Sequence, residues 1–393
     1  MMHLTRYAEQ RMNRNRALVA AVIVAVLTVF IYLNRSEVER RLFFAPAPSP
    51  AAPGIKLDEV AAESDAPTEE AAVTTVVAGL EIPWETVFLP NGDLLVTERP
   101  GRLTRTAKSI IDGVKHRGEG GLLGAVLHPD FETNQWIYLY MTTGANDSLT
   151  NRVVRFRLHN DVLSDETMIL ENIPGAIYHD GGRMKFGPDG KLYVTTGDAT
   201  QSDLAQDLHS LAGKILRMND DGSVPSDNPF GTYVWSLGHR NPQGLAWDDR
   251  GRLWSTEHGR SGAVSGYDEL NLIEKGKNYG WPVIEGPATK SGMESPALQS
   301  GADDTWAPAS AAYWNGRIFF GGLRGESLYE ADITVDPPKL KQHFHTEFGR
   351  IRNVVVDPTN TYLYITTSNR DGRGKVRDGD DKVIRISLKV FSK

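Results

Sequence analysis

At 393 residues, with 40% hydrophobic and 24% charged side chains, the chain is long enough for one large domain or two ordinary ones and apolar enough to build a core. Its formal net charge of −7 excludes a nucleic-acid partner held through phosphates, which needs an excess of Lys and Arg. There is no cysteine, which excludes disulfides, thiolate zinc sites and cysteine nucleophiles.

Residues 1–16 form a basic N-terminus carrying Arg6, Arg11, Arg14 and Arg16, and residues 17–33 are an apolar run. A helix over that run rises about 25 Å, close to the ~30 Å of a hydrocarbon core. It exceeds the core of about 7–15 residues usual in a cleaved signal peptide. Because it is apolar on every face, it reads poorly as one helix of a soluble core. The expectation is a transmembrane signal anchor with its basic end in the cytoplasm and the body on the periplasmic side of the inner membrane. A cleaved signal and a secreted body are the alternative. Residues 34–72 are rich in Ala, Pro and acids (APAPSPAAPG, DEVAAESDAPTEEAA) and read as a disordered linker.

From residue 73 to 393 one theme recurs: a β-branched or aromatic strand, a turn of Pro, Asn, Asp or Gly, then a second strand. The turns lie near Pro90, Pro129, Pro188, Asp248, Asn315 and Pro358. Each copy has the alternation of a hairpin. Six hairpins at blade-sized spacing predict an all-β fold, a six-bladed β-propeller, with long insertions on one face. A β-sandwich is the alternative and would space its turns more evenly.

His179 stands in YHDGGRMKF just before a predicted strand, and histidine is the side chain best matched to proton abstraction near neutral pH. Asp198 lies at the far end of the same hairpin, where an acid could orient the imidazole. Taken alone, such a histidine is more often structural or solvated than catalytic. Arg240 and Asn241 in GHRNPQG offer a guanidinium fork and an amide for carboxylates or quinone oxygens, or else a surface turn. Arg350 and Arg352 flank Ile351, so strict strand alternation sends both guanidiniums to one side. Arg324 is a further cation at a strand end. The Glu257–Arg260 turn with Asp268 and Glu269 offers hard oxygens of the kind calcium takes. Neither HExxH nor GxSxG is present.

GEGGLLGAVLHPDF, HDGGR, AGKILRMNDDG, GHRNPQGLAW, EHG, DELNLI, GKNYGWP and GRIR follow one another in this order. From about Leu80 to Ser387 this set resembles the glucose/sorbosone dehydrogenase family, specifically its soluble aldose sugar dehydrogenases that use pyrroloquinoline quinone (PQQ). The resemblance implies a six-bladed propeller and two cofactors, PQQ and Ca2+. By position, His179 matches the catalytic base and Asp198 the acid that orients it. Glu119, Arg240, Asn241, Arg324, Arg350 and Arg352 match cofactor contacts. The carbonyls of Gly259 and Arg260 match ligands of the cofactor's calcium, and Glu269 and Tyr279 those of a second, structural calcium. Three features depart from the pattern: Glu119 where characterised members often have Gln, Arg324 where some have Lys, and a longer loop between Glu257 and Asp268.

The activity so implied is oxidation of an aldose at its anomeric carbon to a lactone. Electrons would pass on to a quinone or cytochrome acceptor, and the chain would act as a monomer or homodimer tethered by its N-terminal helix. A calcium-dependent lactonase-type hydrolase and a non-catalytic binding propeller are the rival readings.

Overall fold

Alternating runs such as IRNVVV, YLYITT and VIRIS bury one face against the neighbouring blade and the other against the blade before it, and this repeated burial builds the ring. The computed structural model describes residues 2–34, 38–39, 51–57, 71–105, 108–145, 148–261 and 266–392. The chain divides into two units, Met1–Ala45 and Pro46–Lys393. The first holds one helix, Met2–Leu33, which starts well before the apolar run because no Gly or Pro interrupts the sequence. Its segment Asn15–Leu33 is long and apolar enough to cross a membrane.

The second unit is a six-bladed β-propeller. From the inside outward, blade one holds Pro83–Phe88, Leu94–Glu98, Arg102–Thr104 and Lys108–Ile110. Blade two holds Leu122–Leu127, Trp136–Ala145, Ser148–His159 and Val162–Pro174. Blade three holds Met184–Phe186, Leu192–Thr196, Lys214–Met218 and Val234–Leu237, and blade four Pro242–Trp247, Leu253–Glu257, Glu269–Ile273 and Leu298–Gln299. Blade five holds Pro308–Trp314, Arg317–Gly322, Ser327–Asp332 and Lys339–His343. Blade six takes Ile351–Val356, Tyr362–Thr367 and Val383–Ser387, and its outermost strand is Val73–Val77 from the start of the body. Strand pairing between the two ends of the body thus closes the ring. All six expected hairpins are the inner pairs of these blades.

Apolar clusters fill the interfaces between successive blades. The smallest, around Leu80, Val96 and Val383, lies between blades six and one, where the ring closes.

Within the expected linker one segment is docked on the propeller. Ala52–Pro53 adds a parallel fifth strand to blade five, beside Lys341 and Gln342. Behind it, Ile55 N–H donates to His343 Nδ1 at 2.9 Å and Leu57 N–H to Glu347 Oε2 at 2.7 Å. Ile55 and Leu57 pack on the core shared by blades five and six, and this apolar burial is what docks the segment. The rest of 34–72, apart from Asn34, 38–39, Ala51 and 71–72, lies outside the described residues.

Candidate active site

In five of the six blades the ladder between the first two strands slips by one residue at the start of the innermost strand. A bulge of this kind re-aims a side chain that alternation would send into a blade interface. Residues in four of these slips, Trp84, Leu123, Gln243 and Arg352, line a small central cavity with Glu119, Asp180, Gly181 and His258. The slip at Arg352 also breaks the alternation that was expected to pair it with Arg350.

The loop entering blade three carries His179, held at φ +62°. Its Nδ1 lies 2.7 Å from Asp198 Oδ1, and its side chain is 14% exposed against 2% for Asp198. Asp198 follows the second strand of the same blade, so a single hairpin brings the two together. Its Oδ1 also accepts from Thr200 N–H at 2.8 Å, and its Oδ2 from the Trp281 indole N–H at 2.9 Å. Burial alone would raise this carboxyl, but the hydrogen bond and charge of His179 outweigh it and hold the group below the usual range. With a carboxylate accepting at Nδ1, the imidazole lone pair sits on Nε2.

Arg240 and Asn241 lead into blade four. Arg240 donates from Nη2 to Ser261 Oγ at 3.1 Å and lies 5.4 Å from the centre of the Trp281 ring. Asn241 Oδ1 accepts from Gly181 N–H at 3.1 Å. Arg352 donates from Nη1 to Gln243 Oε1 at 2.5 Å. Burial pushes the Arg352 guanidinium down to about 9, Asp371 opposing it. His258, at the end of the second strand of blade four, is pushed down to about 3, first by burial and then by Arg352 and Arg240 against the pull of Glu119.

Five buried polar atoms in this cluster have no hydrogen-bond partner: Arg240 Nη1, Arg352 Nε, Asn241 Nδ2, His258 Nε2 and Asp180 Oδ2. Orphaned buried polar atoms are rare and costly in native structures. Asp180, His258 and Arg352 line the cavity and Asn241, next to Arg240, bonds its lining residue Gly181, so the cluster marks a place built for a polar ligand.

Two more of the expected cofactor contacts are taken up in ion pairs with the protein. Arg350 donates from Nε and Nη2 to Asp371 Oδ2 at 3.0 and 2.7 Å and from Nη1 to Leu323 O at 3.0 Å. Glu119 Oε1 accepts from Arg373 Nη1 at 2.6 Å, and Oε2 from His179 N–H at 3.1 Å. Arg373 therefore offsets the added negative charge of Glu119. Arg324 is partly buried in the field of Asp268 and Arg350.

On the metal side, Gly259 N–H donates to Asp268 Oδ1 at 2.8 Å, and the Arg260 carbonyl accepts from Gly266 N–H at 3.4 Å. Residues 262–265 of the lengthened loop lie outside the described residues. Glu269 is directly across the ladder from Glu257, and burial, with Glu257 adding to it, raises its carboxyl well above the usual range. Asn271 Oδ1, two residues along the same strand, is unpartnered. The Tyr279 hydroxyl donates to Leu272 O at 2.6 Å and accepts from Glu274 N–H at 2.8 Å. Its ring stacks on His239, so only its main chain remains for a metal. Among the described residues no three His, Asp or Glu side chains converge as a metal cluster.

Asp180, His258, Trp281, Asp371 and Arg373 complete the site and were not singled out from sequence. Asp180, His258 and Trp281 fall within the motifs HDGGR, EHG and NYGWP, which could have flagged them. Asp371 and Arg373 sit in NRDGRG, a Gly- and Arg-rich turn before the last strand.

The chain matches the Glucose / Sorbosone dehydrogenase family over residues 80–377. It is 32% identical over 336 residues to the aldose sugar dehydrogenase YliI of Escherichia coli (strain K12), covering 75% of this chain and 89% of that protein. It is 34% identical over 259 residues to quinoprotein glucose dehydrogenase B of Acinetobacter calcoaceticus, covering 55% of this chain and 53% of that one. The solved PQQ-bound aldose sugar dehydrogenase of Streptomyces coelicolor aligns with a TM-score of 0.74 at 39% identity, over 80% of this chain and 97% of that structure. The matched stretch takes in every residue of the site just described, and the chain belongs to the glucose/sorbosone dehydrogenase family.

Proposed function

We propose that the protein oxidises aldose sugars at the anomeric carbon to lactones, using PQQ and calcium, with His179 as general base. The observation that carries this reading is the His179–Asp198 pair beside five orphaned buried polar atoms. The orphans suit PQQ, a planar tricarboxylate quinone, because three of them are nitrogens that donate to oxygen. Arg240 and Asn241 would hold quinone oxygens and Arg352 a carboxylate, with Arg324 adding positive charge. Arg350 acts at one remove, by fixing Asp371 and its loop.

The carbonyls of Gly259 and Arg260 would hold the cofactor's calcium. A carbonyl has two lone pairs, so the hydrogen bond at Arg260 leaves one for the ion. Glu269 with the Tyr279 main chain would hold a second calcium, which would relieve the crowding of Glu269 by Glu257.

His179 Nε2 takes the proton from the anomeric hydroxyl of the sugar. As that O–H breaks, its electron pair forms the lactone C=O and the anomeric hydrogen departs with the C–H electron pair, as hydride. Asp198 stabilises the imidazolium, and the Trp281 indole keeps the carboxylate aimed at Nδ1. When bound, PQQ supplies the two-electron acceptor, polarised by calcium as a Lewis acid. A quinone or cytochrome would serve as the onward electron acceptor. The Asn15–Leu33 helix would hold the propeller on the periplasmic side of the membrane.

The test is dye reduction by the full chain, with and without PQQ and calcium, over a panel of aldoses. Dye reduction that requires PQQ, and falls by orders of magnitude in His179→Gln while PQQ stays bound, supports the reading. Lactone hydrolysis without PQQ would establish the hydrolase instead, and neither activity would establish a binding propeller.

A further inference from the structure

The loop 369–381 of blade six reaches across the closure of the ring to a residue 254 positions earlier in the chain, Glu119. Its base is fixed by two buried acids. Asp381 Oδ1 accepts from Asn369 N–H at 2.6 Å, and Asp380 Oδ2 accepts from Asn369 Nδ2 and Arg377 N–H at 3.0 and 2.7 Å. Its middle is fixed by the buried Arg350–Asp371 ion pair, and Asp371 Oδ1 in turn accepts from Arg373 N–H at 2.9 Å. Arg373 is thus delivered by a rigid arm. Its guanidinium pairs with Glu119 and lies 5.6 Å from the centre of the Tyr178 ring.

Glu119 grips the loop that carries the base at two points. Its N–H donates to Ile177 O at 2.8 Å, and its carboxylate accepts from His179 N–H. The preceding Gly118, at φ +60°, lets the two loops touch, because a Cβ there would overlap the Ile177 carbonyl. Arg99 holds this segment from behind through the carbonyls of Gly118 and Gly120. On the other side of the base, Ala199 N–H donates to His179 O at 3.2 Å.

We propose that Arg373 and Glu119 are a positioning pair for His179: the arginine fixes the carboxylate, and the carboxylate pins the backbone of the base in its left-handed conformation. A non-glycine residue in that region is strained unless its surroundings impose it, and hydrogen bonds to both its N–H and its C=O do so here. Holding the base at its working position is worth up to about 10²-fold in rate, since a displacement near 1 Å costs that much. The pair is thereby part of the proposed dehydrogenase reaction, and its rate effect rests on that reading.

The experiment uses Arg373→Ala, Glu119→Gln and their double variant in the full chain, each checked for thermal stability. The first readout needs no cofactor. The ten histidines are labelled with 15N, and the His179 amide is assigned by its loss in His179→Gln. A carboxylate acceptor shifts that amide proton downfield, so both single variants should move it upfield. The second readout is kinetic. With PQQ and calcium, kcat should fall by about 10²-fold in Arg373→Ala, with KM and PQQ affinity within about threefold. The double variant should be no worse than the worse single one, because both changes break one unit. An unmoved His179 amide in both single variants overturns the proposal, and so do losses that multiply in the double variant. If the wild type reduces no dye with any aldose, the dehydrogenase reading falls, and the amide shifts still decide whether the pair positions His179.

Discussion

Replacing Asp198 by Asn keeps the size of the side chain and removes its charge and one acceptor. Donors meet both oxygens of the carboxylate: His179 Nδ1 and Thr200 N–H at Oδ1, and the Trp281 indole at Oδ2. An amide has one oxygen, so in either orientation its NH2 group confronts a buried donor, at about 1–3 kcal/mol in stability. The larger effect falls on the reaction. The positive charge that forms on His179 sits about 4 Å from the centre of the carboxylate charge, and at an effective dielectric near 20 their attraction is worth about 4 kcal/mol. Both side chains are largely out of solvent, so screening removes little of it. At about 1.4 kcal/mol per decade, kcat should fall roughly 10³-fold. The assay is steady-state dye reduction by protein reconstituted with PQQ and calcium, with PQQ affinity titrated separately by its absorbance. A kcat within tenfold of wild type, or a loss confined to PQQ affinity, refutes the assignment of Asp198 to the base.

Burial raises the Asp180 carboxyl to about 6 and leaves Oδ2 without a partner. A carboxyl raised above its unfolded value costs stability as pH rises through the window between the two values, here up to about 3 kcal/mol. Asp180→Asn keeps the oxygen that accepts from Asn151 and Ala176, so thermal melts without cofactor should show near-equal stability at pH 4 and a more stable variant at pH 8. A gap that does not widen with pH would exclude an ionised orphan. At Gly54 an added Cβ would overlap His343 Nδ1 and crowd Gln342 O, so Gly54→Val should lift the strap from blade five. Trypsin should then cut after Lys56 much faster with little change in the melting temperature of the propeller, and unchanged cleavage would contradict the strap. Arg352→Met removes a charge-assisted donor from the cavity and should weaken PQQ binding by about 10–100-fold, measured by absorbance titration.

The ring was legible in sequence because each inner hairpin announces itself twice, by alternation and by a turn rich in Pro, Asn, Asp or Gly. The His179–Asp198 pair was legible for a related reason: one hairpin carries both, so local topology suffices to bring them together. The axial cavity was not. Its lining depends on bulges at Trp84, Leu123, Gln243 and Arg352, and a one-residue slip leaves no mark on composition while reversing which face a side chain takes. This is why Arg350 and Arg352, expected to point to one side of the strand, have separate partners. Glu119, where characterised members often have Gln, has a counter-ion that comes from the far end of the chain, where no local pattern points to it. The strap failed for the opposite reason. Its Ala/Pro composition promises disorder, and only Ile55 and Leu57, two apolar residues in a polar tract, hint that it docks.

The smallest of the apolar clusters lies at the seam between blades six and one. Polar contacts help to join the two ends of the body there. Leu80 exchanges both backbone hydrogen bonds with Asp381, Val73–Val77 pairs with the last strand, and Arg373 reaches Glu119 across the gap. The loop 369–381 that helps shut the ring is therefore the same loop that reaches the base. Opening the seam would remove Arg373 from Glu119, and with it one of the two restraints on the His179 backbone. On the proposed reading, function and closure are coupled because both draw on the loop 369–381. Its buried Arg350–Asp371 pair is sensitive to the loss of either partner, since the charge left behind stays buried. A propeller with a large apolar seam would have no such coupling.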